Sequence, residues 1–344
     1  MKHFIVRKEE ARYLAFPSIC GTGDGGYVVA YRDAPRRGKG HTHVDPRSRV
    51  SMVVADDVRK WEGGKVVRVP FTRGGGQLPL VVRAGGGGFF LVDYRWTIGR
   101  SLKGGELYRV AEYGWKARYD SMYFMRFARK RKRFHFEKPE RYGAPCGGYV
   151  NVANSLGAAA LPDGTILLPV DAESEGTGVW NVLLLHSADG GRTWAIRSRV
   201  AGGPVPGTER LCEPSVVAAR SGRMVCMMRA VSEEDRLYQC DSTDGGITWS
   251  CPRETEVKGH PPYLMELRDG RLLLLYGYRH RPYGVRGRLS DDEGVTWDAC
   301  GEIVIRNDGG GRDLGYPRGV QLEDGSILVV YYFTVGDGAR HVAA

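Results

Sequence analysis

Three octapeptides in this chain share the pattern S-x-D-x-G-x-T-W: SADGGRTW at 187–194, STDGGITW at 242–249 and SDDEGVTW at 290–297. Five of the eight positions agree in every copy, and each position has a turn-forming reason. The Asp carboxylate can accept backbone N–H bonds, Gly supplies a positive φ, Thr bonds locally and Trp packs underneath. A degenerate copy, VADDVRKW, ends at Trp61 and keeps Asp56. Such a turn marks a fold and carries no chemistry of its own. It constrains the chain because it recurs, and recurrence at intervals of tens of residues implies a repeat architecture.

A second repeat lies between the octapeptides. It begins with a short motif, often containing proline, and continues as an apolar run, a turn ending in Gly and a second apolar run. The six copies are FPSICGTGDGGYVVAYR, LPLVVRAGGGGFFLVDYR, SLGAAALPDGTILLPVD, EPSVVAARSGRMVCMMR, PPYLMELRDGRLLLLYGYR and YPRGVQLEDGSILVVYY. Two strands from this motif and a further hairpin closed by the octapeptide make a four-stranded propeller blade. The expected fold is therefore all-β: a six-bladed β-propeller with four-stranded antiparallel blades and Asp-box turns, forming one domain over residues 1–344. The 49 glycines and 17 prolines agree, since they sit between apolar runs as turns and not in one disordered tract.

The formal charge of +10 suggests an anionic partner: nucleic acid, a membrane surface or an acidic glycan. The densest basic run, RFARKRKRF at 126–134, reads first as a solvated strand or hairpin. Zinc-ligand spacing, a phosphate-cradling loop and any nucleic-acid module are absent from the sequence, so no nucleic-acid partner and no cofactor or metal are expected. Seven cysteines without a CxxC pair point to a reduced compartment. With no signal-peptide core and no membrane-length apolar stretch, the sequence predicts a cytoplasmic protein, a trimmed secreted form being the alternative.

The Asp boxes and the six-fold repeat resemble the sialidase (neuraminidase) superfamily along nearly the whole chain. Asp boxes specify that fold and not an activity, so function has to be argued from the residues facing the propeller centre. The repeat register names them. The lead positions, before the first strand's apolar run, are Phe16, Leu78, Ser155, Glu213, Pro261 and Tyr316. The closing positions, seven beyond each turn glycine, are Arg32, Tyr94, Asp171, Arg229, Gly277 and Tyr332. Charged or phenolic groups there are costly unless paired or solvated in a cleft, which singles out Glu213, Tyr316, Arg32 and Arg229.

The resemblance implies a tyrosine nucleophile activated by a glutamate, because the carboxylate on the anomeric carbon of sialic acid would repel an anionic nucleophile. GYPRGVQLEDG is similar to the family's tyrosine segment and gives Tyr316. CEPSVVAARSGRMVCMMR is similar to its glutamate and arginine segment and gives Glu213 as base and Arg229 as one arm of a carboxylate clamp. The acid/base matches Asp45 in the loop YRDAPRRGKGHTHVDPRSR, with Asp33 as fallback and His41 and His43 alongside. Arg279 or Arg281 would supply a second clamp arm, and Tyr94, Arg95 and Trp96 could wall a sugar pocket. One departure stands out: where the family's first clamp arginine lies, this chain has Ala15, with Arg32 as the available substitute.

Three functions follow as expectations. The first is a retaining exo-glycosidase acting on a sialoside or related acidic sugar. The second is a hydrolase or lyase on another acidic glycan with a reshaped clamp. The third is a carbohydrate-binding propeller without catalysis. Each residue also has a plainer reading: Tyr316 as a packed aromatic, Glu213 as the partner of Arg229, Asp45 as an ordinary turn residue, and His43 as a loop residue. The sequence leaves the oligomeric state open.

Overall fold

The structure is a computed structural model that describes the chain apart from residues 38–42, 62–63, 72–74, 85–86, 103–107, 111–113, 143–147, 154, 204, 207, 209, 299–300 and 337. His41, Cys146 and Cys300 lie outside the described residues. Among the described residues there is no α-helix, and every strand belongs to one of six antiparallel sheets. Among the described residues no helix is long and apolar enough to cross a membrane. The fold is the six-bladed β-propeller that the repeats imply.

Each sheet has a four-strand path. Blade 1 runs Arg12–Gly21, Tyr27–Pro35, Arg49–Ala55, Val66–Arg68, and blade 2 runs Leu80–Arg83, Gly88–Gly99, Trp115–Lys130, Arg133–Phe136. Blade 3 runs Tyr149–Ala153, Ile166–Ser174, Trp180–Ser187, Ala195–Gly202. Blade 4 runs Leu211–Ala218, Met224–Ala230, Arg236–Ser242, Arg253–Lys258, and blade 5 runs Pro262–Glu266, Leu272–Tyr278, Gly284–Ser290, Ile303–Arg306. In blade 6, Gly315–Gln321 is followed by Ile327–Phe333, His341–Ala343 and then Ile5–Arg7 from the other end of the chain. By compactness the chain falls into two units, one of Lys2–Gly143 with Val330–Ala344 and one of Ala144–Val329.

The turn glycines explain the register. Gly25, Gly87, Gly164, Gly222, Gly270 and Gly325 all have φ between 77° and 92°, a region that costs a side chain with a Cβ energy and costs glycine none. The strands that follow read as near-continuous apolar runs, because each blade is covered on both faces. Leu167, Val182 and Leu184 of blade 3 pack with Met224, Cys226 and Met228 of blade 4. In the other unit, Val28 and Met52 of blade 1 pack with Phe89, Leu91 and Met125 of blade 2. A serine after the lead proline ties neighbouring blades. The Ser18 hydroxyl accepts from the Val81 N–H at 3.0 Å, and the Ser215 hydroxyl accepts from the Leu264 N–H at 2.9 Å.

The octapeptides form the same turn three times. In the first, the Ser187 hydroxyl donates to Asp189 at 2.7 Å and accepts from the Gly191 N–H at 2.8 Å, while Thr193 donates to Asp189 through its N–H and its hydroxyl. Ser242, Asp244 and Thr248 repeat this, as do Ser290, Asp292 and Thr296. The tryptophans use their ring N–H groups. Trp249 donates to the Ser198 hydroxyl and Trp297 to the Gln239 side-chain oxygen. Asp56 of the degenerate copy instead pairs with Arg129 and Lys132.

The basic run is a hairpin. Arg131 and Lys132, with φ of 50° and 61°, form its turn between Trp115–Lys130 and Arg133–Phe136. Much of its charge is matched locally: Arg126 by Glu137 and Glu140, Arg129 by Asp24 and Asp56. The five described cysteines, Cys20, Cys212, Cys226, Cys240 and Cys251, carry free thiols.

Candidate active site

The residue before the lead proline is held in an unusual backbone conformation in three blades. Phe16, Glu213 and Tyr316 have φ of 54°, 50° and 50°. A non-glycine residue in this region is strained by about 1 kcal/mol or more and persists only when its surroundings enforce it. At Glu213 the pairing of Leu211–Ala218 with Met224–Ala230 shifts register between Cys212 and Ser215. A bulge of this kind re-aims one side chain out of the alternation of its strand.

Glu213 and Tyr316 meet. The Tyr316 hydroxyl donates to Glu213 Oε1, and Arg229 Nη1 donates to Glu213 Oε2 at 3.0 Å. The Glu213 backbone N–H donates to Asp171 at 3.3 Å. The Arg279 guanidinium lies 5.6 Å from the centre of the Tyr316 ring and donates to the Leu314 carbonyl at 3.1 Å. Tyr316 and Glu213 are each only 7% exposed, so the pair is shielded from bulk water. Arg281, the other clamp candidate of blade 5, is exposed and lies 5.7 Å from the Tyr283 ring.

The electrostatics divide the pair into an acid and a base. Burial and the neighbouring Glu213 charge push the Tyr316 phenol well above its ordinary value, so it stays protonated. Burial alone would raise the Glu213 carboxyl, but the Arg229 cation and the Tyr316 hydroxyl outweigh burial and hold it below its ordinary value. The ground state is a neutral phenol against a carboxylate that can take its proton.

A second layer escaped the sequence reading. Asp235, with φ of 53°, has His260 Nδ1 at 3.3 Å, His280 Nε2 at 3.2 Å and Arg312 Nη2 at 3.5 Å. The two histidine contacts are close but poorly aligned for hydrogen bonding. Burial, aided by the Arg229 and Arg279 charges, pushes His260 down to about 4 against the pull of Asp235, so it is neutral near pH 7. His260 directly precedes the lead residue Pro261, a position the repeat register could have flagged. Nothing in the sequence marks Asp235.

The remaining candidates lie in the other unit. Asp45 is fully buried; Arg37 Nε donates to it at 2.6 Å and the Arg47 N–H at 2.7 Å. Asp33 is held by Arg12 at 2.5 Å, Arg49 at 2.9 Å and the Ser51 hydroxyl at 3.0 Å, which commits the fallback residue to a structural network. Arg32 is fully buried with its guanidinium 5.4 Å from the Tyr13 ring, and it pairs across the strands with Ala15. The His43 ring packs edge-on against Phe16 at 5.2 Å. Arg95 is held by Asp93 at 3.1 Å and packs over Phe71, so it is taken up in the core of blade 2. Tyr94 stacks on Tyr119 at 6.4 Å, with Trp96 edge-on to Tyr119. Among the described residues there is no cluster of three or more His, Cys, Asp or Glu able to hold a metal.

Repeated Asp-box turns on a six-bladed propeller, with a buried Tyr–Glu–Arg cluster at the lead and closing positions, define a sialidase-like β-propeller. The chain belongs to the BNR repeat-like domain family, whose profile matches residues 111–329. The crystal structure of a protein of unknown function from Dyadobacter fermentans DSM 18053 is 30% identical, with a TM-score of 0.87 over 99% of this chain and 96% of that one. Hadza microbial sialidase Hz136 is 14% identical, with a TM-score of 0.68 over 99% of this chain and 68% of its own. Trypanosoma rangeli sialidase in complex with the inhibitor DANA is 13% identical, with a TM-score of 0.65 over 98% of this chain and 55% of its own. At these identities the sialidases share the fold alone. No curated protein sequence matches the chain.

Proposed function

We propose that this propeller is a retaining exo-glycosidase that releases a terminal acidic sugar, sialic acid or a close relative. The observation that carries the reading is the contact between Tyr316 and Glu213, with Arg229 on the far carboxylate oxygen. In the first step Glu213 takes the phenolic proton as the Tyr316 oxygen bonds to the anomeric carbon. The glycosidic bond breaks, and the departing alcohol takes a proton from a general acid. Water then cleaves the glycosyl–tyrosine bond, and Tyr316 recovers its proton. A neutral nucleophile suits an anomeric centre that bears a carboxylate, and Arg229 with Arg279 supplies positive charge beside it.

A second reading is favoured by Ala15. It is fully buried, and its methyl group offers nothing to a carboxylate where the resemblance expects an arginine. Losing one arm of such a clamp costs several kcal/mol of transition-state binding. That supports a substrate whose acid group lies elsewhere on the ring, processed by the same pair as hydrolase or lyase.

A panel of fluorogenic sialosides and uronides, assayed with wild type and Tyr316→Phe, tests both readings. Sialoside turnover abolished by the substitution supports the first, and turnover confined to uronides supports the second. Turnover that survives the loss of the hydroxyl removes Tyr316 as nucleophile. Acidic oligosaccharides that bind without being turned over would make the protein a lectin-like propeller.

A further inference from the structure

Arg318 follows Tyr316 by two residues on the strand Gly315–Gln321 and is only 2% exposed. Its Nη2 donates to the Ser155 carbonyl at 3.3 Å, but its Nη1 is buried with no hydrogen-bond partner. The Ser155 hydroxyl, on a residue 4% exposed, is also buried without a partner. Two orphaned donors therefore belong to residues in direct contact.

The charge is unmatched as well. Three other buried or half-buried arginines of this unit have acids: Arg229 has Glu213, Arg223 has Asp241 and Arg286 has Glu302. Arg318 has none among the described residues. The groups acting on its charge are the phenols of Tyr263 and Tyr316, and burial pushes the guanidinium down to about 10, still cationic at neutral pH. An enclosed cation without a counter-charge is strongly disfavoured. Buried water could satisfy the N–H and O–H groups but would leave the charge.

We propose that Arg318 and Ser155 form a buried binding site for a small monovalent inorganic anion of the halide class, chloride in ordinary solution. The anion accepts from Arg318 Nη1 and from the Ser155 hydroxyl. Enclosure sets the ligand class: with Arg318 2% and Ser155 4% exposed, a glycan carboxylate cannot reach the guanidinium, and a small ion can. The site adjoins Tyr316, two residues away on the same strand, and supplies a structural counter-charge. It does not depend on the glycosidase reading.

Crystals grown with bromide in place of chloride, measured at the bromine absorption edge, test this directly. An anomalous peak is expected within hydrogen-bonding distance of Arg318 Nη1 and the Ser155 hydroxyl in wild type, and none in Arg318→Met. In solution, the wild-type unfolding midpoint should rise saturably, by several degrees, when bromide replaces gluconate at constant ionic strength. Ser155→Ala should need roughly tenfold more bromide for the same rise, and Arg318→Met should show no saturable rise. Should Arg318→Met fail to fold, the wild-type map and the Ser155→Ala titration decide. Density without anomalous signal at this position, or the same halide dependence in wild type and Ser155→Ala, would overturn the site.

Discussion

The carboxylate of Asp292 and that of Glu213 are both fully engaged by donors, yet they are satisfied in opposite ways. Asp292 takes its bonds from Ser290 and Thr296, two and four residues away. Glu213 takes its bonds from Arg229, 16 residues away, and from Tyr316, 103 residues away. A locally satisfied acid can be copied along a chain as a unit, and the Asp box is so copied. An acid satisfied from a distance exists only once the blades that carry its partners have assembled. The first kind stabilises a turn, and the second is the kind on which the proposed chemistry rests.

Substitutions should separate the two kinds. The largest effect expected is on turnover in Tyr316→Phe. On the proposed reading, loss of the Tyr316 hydroxyl should lower kcat by roughly 10³-fold or more on the acidic glycoside that is turned over, with KM little changed. Thermal unfolding should show the protein still folded, since the ring remains.

On the same reading, Glu213→Gln should lower kcat by about 10² to 10⁴-fold by removing the proposed base. It should also destabilise the fold by about 3 kcal/mol, because Arg229 loses the partner of a largely buried ion pair. The pH dependence has a defined sign. The Glu213 carboxyl is held below its ordinary value when folded, so its contribution to stability is present above the unfolded value of 4.5 and is lost as pH falls further. Chemical denaturation from pH 7 to 3 should show this loss in wild type and a weaker one in Glu213→Gln.

His260→Gln tests the Asp235 cluster. His260 is pushed down to about 4 in the fold, from 6.5, so below pH 6.5 the unfolded chain takes up a proton that the native state refuses. Wild-type stability should therefore decline between pH 6.5 and 4, and the variant should lose that part of the slope. Equal slopes in the two proteins would show that His260 is protonated in the fold.

The smallest effect belongs to the Asp box. Asp292→Ala should cost about 1 kcal/mol of stability, measured by denaturant midpoint, and leave kcat and KM unchanged. A loss of turnover from this variant at full folding would erase the distinction between the two carboxylates.

The sequence shows the blade repeat clearly because its signals are short-range. All six turn glycines fall in the positive-φ region, and all three intact octapeptides form the same hydrogen-bonded turn. Tyr316 and Glu213 were also legible, one step further on, because the repeat register made them exceptional at equivalent positions. Arg279 came with them, but its neighbour Arg281 in the same RHR stretch turned outward, and pattern alone could not choose between the two. Arg95 illustrates the opposite limit. It sits in an aromatic-rich segment that suggested a sugar pocket, and Asp93 two residues away takes it into the core.

The amino-acid pattern by itself determined the blade count, the turns and which residues would stand at the strand ends, since a repeat needs only neighbours in sequence to declare itself. Tertiary structure alone decided which of those residues became partners. The bonds of Glu213 to Tyr316, the crowding of His260, His280 and Arg312 on Asp235, and the unmatched charge of Arg318 depend on burial and on distances across blades. Burial and distance set the cost of a charge, and neither is encoded in local spacing.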